Sequence, residues 1–185
     1  LTIDMISGAM QLHETGATAR VDQQLTIRFE PDIRFLVFGK GPEASTFAAL
    51  VNSAGYPNLL LSPDSETLDW SDISGCETRY VKEARFPADL DVDDRTAIVL
   101  FFHDHDWEPP ILAGALETPA FYIGAQGSQR ARDARLMTLQ AMGVSREDCD
   151  RLHGPVGVIP SARDAGTLAV SVLAEVLSKV MTPAA

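Results

Sequence analysis

Residues 35–45 read FLVFGKGPEAS, and the fold is decided by how this stretch is read. The apolar run IRFLVF (33–38) ends at Gly39. Such a run, without polar alternation, predicts a strand buried on both faces. Gly39, Gly41 and Ala44 then fit G-x-G-x-x-[GA], the pattern of a strand-to-helix turn that lets backbone approach a ligand. Pro42 suits the first helical turn, where its missing N–H is no loss. Phe47, Leu50, Val51 and Ala54 recur at helical spacing, and Gly55 is a stop signal. NLLLSPD (58–64) reads as the next strand, which completes a βαβ unit.

The same alternation continues downstream. Residues 64–95 are polar and acidic, with a short strand near TRYV (78–81). TAIVLFF (96–102) is the strongest strand signal in the chain and runs into HDHD (103–106). Pro109 and Pro110 open a helix over 110–117, AFYIGA (120–125) is a further strand, and 127–143 is a helix capped by Ser128 and stopped by Gly143. A short helix near 145–152, an apolar PVGVI (155–159) and a last helix over about 164–180 follow. Strands alternating with helices predict an α/β fold, Rossmann-like, with a mostly parallel sheet flanked by helices. Upstream, DMISGAMQLHE suits a short helix and 19–30 a strand, so 1–32 reads as a separate N-terminal segment and 33–185 as the main domain.

Composition narrows the function. The net charge is −11, from 15 basic and 26 acidic residues, which repels a phosphate backbone and argues against nucleic acid. Two isolated cysteines, Cys76 and Cys149, make neither a disulfide framework nor a zinc pattern, and favour a reducing, cytoplasmic setting. The apolar stretch 165–181 is broken by Glu175 and Lys179, so no membrane span is expected. The start of the chain lacks the apolar core of a signal peptide.

In an open parallel sheet, ligands bind beyond the carboxyl ends of the strands. Four distinctive loops fall there. The turn at Gly39 and Gly41 offers a helix N-terminus to a phosphate, although Glu43 brings a negative charge close by. Asp64, 25 residues after Gly39, reads either as a carboxylate for a ribose or as a turn residue. His103 and His105 share a side of an extended segment, with Asp104 between them. Two histidines are too few for a closed zinc site, so no metal is expected. They read as acid/base groups, as polar contacts to a ligand, or as part of a loop that Asp106 caps. GAQGSQR (124–130) has the small residues, helix start and cation of an anion cradle, through Gly124, Gly127, Ser128 and Arg130. Arg132 and Arg135 add charge there, or else face solvent or pair with Asp133.

FLVFGKGPEA, ARFPADL, TAIVLFFHDHDWEPPILAGAL, AFYIGAQGSQRARDARLMTLQAMGV, LHGPVGV and LAVSVLAEVL follow in an order and spacing that resembles the C-terminal Rossmann domain of the XdhC/CoxI family, over about 33–180. The resemblance implies an accessory factor that binds the molybdenum cofactor (molybdopterin), aids its sulfuration with a cysteine desulfurase, and assists insertion into a molybdenum hydroxylase such as xanthine or carbon monoxide dehydrogenase. It implies phosphate contacts from Gly39, Gly41, Gly124, Gly127 and Ser128, and contacts to the pterin or its metal end from His103, Asp104 and His105. It implies no catalytic residue of the chain's own. Lys40 and Pro42 depart from the family's usual G-A-G-H turn. Residues 1–32 lack the family's glycine-rich segment ending in Cys-Glu, and read as a remnant of a partner domain or a linker. Two alternatives stay open: a small NAD(P)-binding oxidoreductase with His103 or His105 as proton donor, and a degenerate Rossmann interaction module. A second copy of the chain, as a homodimer, is a further candidate partner.

Overall fold

The structure, a computed structural model, describes residues 1–12, 18–27, 32–73, 75–103 and 106–180. It divides into two compact units, 1–32 and 33–185. The first unit is an antiparallel sheet of β1 (Thr2–Asp4), β2 (Met10–Gln11), β3 (Ala19–Val21) and β4 (Gln24–Thr26), in the order β2-β1-β4-β3. The helix expected at its start is replaced by a hairpin. The Asp4 carboxylate accepts the N–H groups of Ile6 at 3.0 Å and Ser7 at 2.7 Å, and Gly8 takes a positive φ of 72°. That aspartate turn reverses the chain before a helix can start.

The second unit holds a six-stranded sheet: β5 (Arg34–Gly39), β6 (Asn58–Ser62), β7 (Glu77–Tyr80), β8 (Thr96–Phe101), β9 (Tyr122–Ala125) and β10 (Leu152–His153). The order is β10-β9-β8-β5-β6-β7, and every pairing is parallel. Strand order therefore reverses between β5 and β8. Among the described residues, six helices flank the sheet: α1 (Pro42–Ser53), α2 (Ser65–Ile73), α3 (Glu108–Leu116), α4 (Gln129–Ala141), α5 (Arg146–Asp150) and α6 (Ala165–Val180). The unit is a Rossmann-like α/β fold.

The pleat sorts the core into two halves. Phe35, Val37, Val99 and Phe101 pack under α1 and α6, whereas Leu36, Phe38, Ile98 and Leu100 pack under α3 and α4. This is why β5 and β8 read as unbroken apolar runs. Phe47 of α1 meets Phe35 edge-on at 5.9 Å between ring centres. Helix α2 lies in the acidic stretch where no helix is predicted. The long crossover from β7 to β8 is held by Phe86, which packs on Phe38 at 5.5 Å. Gly114 lets it in, since a Cβ there would stand 2.5 Å from the Phe86 Cβ.

Two fastenings matter later. On α6, Glu175 accepts the Tyr122 hydroxyl at 2.8 Å and the Gly157 N–H, and the His153 ring stacks on Tyr122 at 4.6 Å. On the opposite margin, the Arg151 guanidinium donates to the carbonyls of Leu116 at 2.7 Å, Thr118 at 2.8 Å and Ala120 at 3.2 Å. This closes the end of α3 and the start of β9 together.

Candidate functional site

Because all six strands run the same way, the loops after β5, β6, β8 and β9 emerge at one edge. The reversal between β5 and β8 opens a crevice there, since the connections on either side leave in opposite directions. His103, just past β8, sits at this crevice with its side chain 74% exposed. Its Nε2 lies 3.1 Å from Gln126 Nε2 and 3.6 Å from Glu43 Oε1. Gln126 follows β9 and is buried, with its N–H donating to Leu100 O at 3.0 Å. Glu43 lies in the first turn of α1. One imidazole thus touches groups from both walls. Lys40 Nζ lies 5.7 Å from the centre of the Trp107 ring, and Phe102 stacks against that ring at 6.3 Å.

Beside His103 is a cleft of about 470 Å³, lined by Phe102, His103, Gln126, Gly127, Ser128 and Arg135 among others. Ser128 caps α4, its hydroxyl accepting the Ala131 N–H at 3.2 Å. Arg135 is not solvent-facing, and Asp133 is not its partner. The residue is 5% exposed, and its guanidinium forms a two-point ion pair with Glu108, Nε to Oε1 and Nη2 to Oε2 at 3.1 Å. Nη2 also donates to Gln126 O at 2.7 Å, while Nη1 is buried and has no partner among the described residues. Asp133 instead accepts from Gln129 at 3.1 Å. A signal for Arg135 existed, since it precedes the buried Leu139 by one helical turn. Arg130 is exposed in the first turn of α4.

The glycine turn is built differently. Gly39 is a packing position, because a Cβ there would stand 2.6 Å from Phe101 O and 2.8 Å from the Ala44 Cβ. Gly41 has φ 83° and caps α1. Its N–H donates to Thr67 Oγ1 at 2.8 Å, and the Lys40 N–H donates to Phe101 O at 3.1 Å. Thr67 in turn donates to Asp64 Oδ2 at 2.5 Å, and the same oxygen accepts the Thr67 N–H at 2.9 Å. Those bonds hold the Asp64 carboxyl below its usual pKa, with the Thr67 hydroxyl the larger cause. Asp64 therefore caps α2, and the turn's N–H groups at Lys40 and Gly41 are committed to protein. Gly124 lies inside the sheet, where a Cβ would come 2.7 Å from Tyr122 Cε1 and Val156 Cγ1. It permits close packing rather than lining the cleft.

The N-cap position of the helix after HDHD falls on Trp107, so Asp106 stands one residue before it. Asp104 and His105 lie outside the described residues. Among the described residues, no group of three or more His, Cys, Asp and Glu is placed to hold a metal ion. No helix of the described residues is long and apolar enough to cross a membrane. A further hollow of about 540 Å³ lies along 79–89 of the β7–β8 crossover. Two of its cations are spoken for, Arg79 by Asp89 at 2.9 Å and Arg85 by Glu83 at 3.0 Å.

The comparisons with known proteins fit this geometry. The molybdenum cofactor insertion chaperone PaoD of Escherichia coli (strain K12) is 38% identical over 152 residues, which is 82% of this chain and 42% of that protein. The uncharacterized protein YqeB of the same strain is 33% identical over 88 residues, 48% of this chain and 16% of that protein. The chain thus spans less than half the length of these curated relatives. A solved structure described as a xanthine dehydrogenase from Bacillus halodurans superposes with a TM-score of 0.72 at 20% identity, covering 88% of this chain and 46% of that one. It shares the fold. The sequence model described as the XdhC Rossmann domain matches residues 35–176, most of the chain, and the chain belongs to that family.

Proposed function

We propose that this chain is the cofactor-holding part of an accessory factor for molybdenum enzymes. In this reading the cargo is a molybdopterin-type cofactor, held in the crevice between β5 and β8 and passed to an apo-enzyme of the molybdenum hydroxylase class. The observation that carries it is the His103–Gln126–Glu43 contact beside an open cleft. The relation to an insertion chaperone supplies the cargo. His103 and Gln126 would hydrogen-bond the pterin edge, which is rich in donors and acceptors. Asp104 and His105 join the same loop in this reading. The chain's residues bind and orient and perform no bond-making step. Sulfuration by a cysteine desulfurase, with xanthine or carbon monoxide dehydrogenase as recipient, is the finer form of the proposal, with the cytoplasm as its setting.

The committed N–H groups of Lys40 and Gly41 and the capping role of Asp64 weigh against a dinucleotide. A pyrophosphate at that turn would face the Glu43 carboxylate. The relatives offer no support for NAD(P).

The test is retention of cargo. The chain is mixed with released molybdenum cofactor under anaerobic conditions and separated by gel filtration, and molybdenum is measured in the protein peak. Wild type is expected to carry molybdenum and to activate an apo-hydroxylase on mixing. His103→Ala and Gln126→Ala should each lower the retained metal. Wild type that elutes free of both pterin and metal would overturn the reading.

A further inference from the structure

We propose that the Trp107 indole is the crevice's stacking platform for a flat heteroaromatic ring, and that Lys40 covers it until that ring arrives. This rests on the crevice reading above and names the residue that would select the pterin's ring system. The platform is fixed from behind. Trp107 is half-buried at the N-cap of α3, and its ring plane lies 17° from that of Phe102, which is 3% exposed. The next residue, Glu108, is held in its buried ion pair with Arg135, and Pro109 follows in the first turn of α3. An indole anchored in this way offers a large ring surface at little conformational cost.

The cover moves where the platform does not. Lys40 sits in the β5–α1 turn between two tied backbone groups. Its own N–H donates to Phe101 O at 3.1 Å, and that of Gly41 donates to Thr67 Oγ1 at 2.8 Å. The backbone of Lys40 is therefore held, and the flexible four-carbon stem is the part that swings. Its ammonium stands 5.7 Å from the Trp107 ring centre, within cation–π range, and so bridges the loops after β5 and β8. His103 and Glu43 bridge the same two loops at 3.6 Å. None of these four side chains is fully buried. Lys40 also has a second neighbour to turn to. Asp64 is near enough to feel its charge, a lesser cause of the low Asp64 pKa after the Thr67 hydrogen bonds. An exposed cation gains less from an aromatic face than a stacked heterocycle does, so the exchange runs toward the ligand.

The chain has two tryptophans, and Trp70 is 66% exposed on α2, so Trp70→Phe leaves Trp107 as the reporter. The probe is oxidised pterin, without phosphate or metal, followed by tryptophan emission and separately by calorimetry. Pterin should quench Trp107 emission saturably, with the midpoint that calorimetry gives. Trp107→Leu should bind about tenfold more weakly or worse, and Trp107→Phe should recover part of that loss. Lys40→Ala should bind no more weakly than its parent, and should change Trp107 emission before any pterin is added. Calorimetric binding that leaves Trp107 emission unmoved, or that Trp107→Leu does not weaken, overturns the platform and leaves the crevice reading standing. Binding about tenfold weaker in Lys40→Ala overturns the cover, since the lysine then holds the ligand itself. Absence of pterin binding by the parent also overturns the platform, and molybdenum retention then decides the crevice reading separately.

Discussion

At the turn 39–44, the N–H groups of Lys40 and Gly41 end on Phe101 O and Thr67 Oγ1. At the turn 126–131, those of Gln129 and Arg130 come before any helical partner, and the buried Arg135 guanidinium keeps one nitrogen without a partner among the described residues. Both turns join a buried strand to a helix start through glycine. The difference lies in what the neighbouring element supplies: α2 brings Thr67 and Asp64 across the first turn, and among the described residues nothing comparable crosses the second. A glycine pattern therefore reports backbone geometry, and the adjacent helix decides whether the donors stay available.

The comparison breaks most sharply at Arg135. Arg135→Met should cost about 3–5 kcal/mol, because Glu108 is left buried and unpaired. Urea denaturation measures it, and the double change Glu108→Leu with Arg135→Met should recover most of the loss. At the closed turn, Gly39→Ala should cost about 1–3 kcal/mol by forcing Phe101 and Ala44 apart. Its readout is again the urea midpoint. Thr67→Ala, which removes the bridge that closes the turn, should cost about 1–2 kcal/mol. It leaves the Gly41 N–H without its acceptor, and amide exchange at Gly41 should speed up accordingly.

The smallest effect concerns pH and lies away from both turns. Burial holds the His153 imidazole below its usual pKa, and Lys179 pushes the same way against Glu175. The unfolded chain takes up this proton near pH ~6.5, before the folded chain does. Stability from this group is thus complete above that pH and is lost as pH falls through the lower folded value. His153→Phe keeps the stack on Tyr122 and should flatten that slope between about pH 8 and pH 5.

Much of the frame is legible in the sequence, for a physical reason. Strands β5 and β8 are covered on both faces, so they read as continuous apolar runs. Helix α4 announces itself through the Ser128 cap and the Gly143 stop. Helix α2 is hidden because SETLDWSDI buries little and is mostly charged or polar. The hairpins of 1–32 are hidden because their strands run two or three residues, too short for any period to register. At the site, strand direction alone places the four loops at one edge. The Glu108–Arg135 pair and the Thr67 bridge join residues 27 and 26 positions apart, and no local pattern encodes such pairings.

The Arg151 suture carries a consequence for how the molecule breathes. One guanidinium gathers three carbonyls at the margin opposite the crevice, so the α3–β9 link cannot open without releasing all three. The α3–β9 link is thereby held at three points, a fixed plate beneath the crevice. Inserted residues or a peptide tag between Glu117 and Ala120 would unseat that plate and loosen the crevice from below, without touching a residue that lines it.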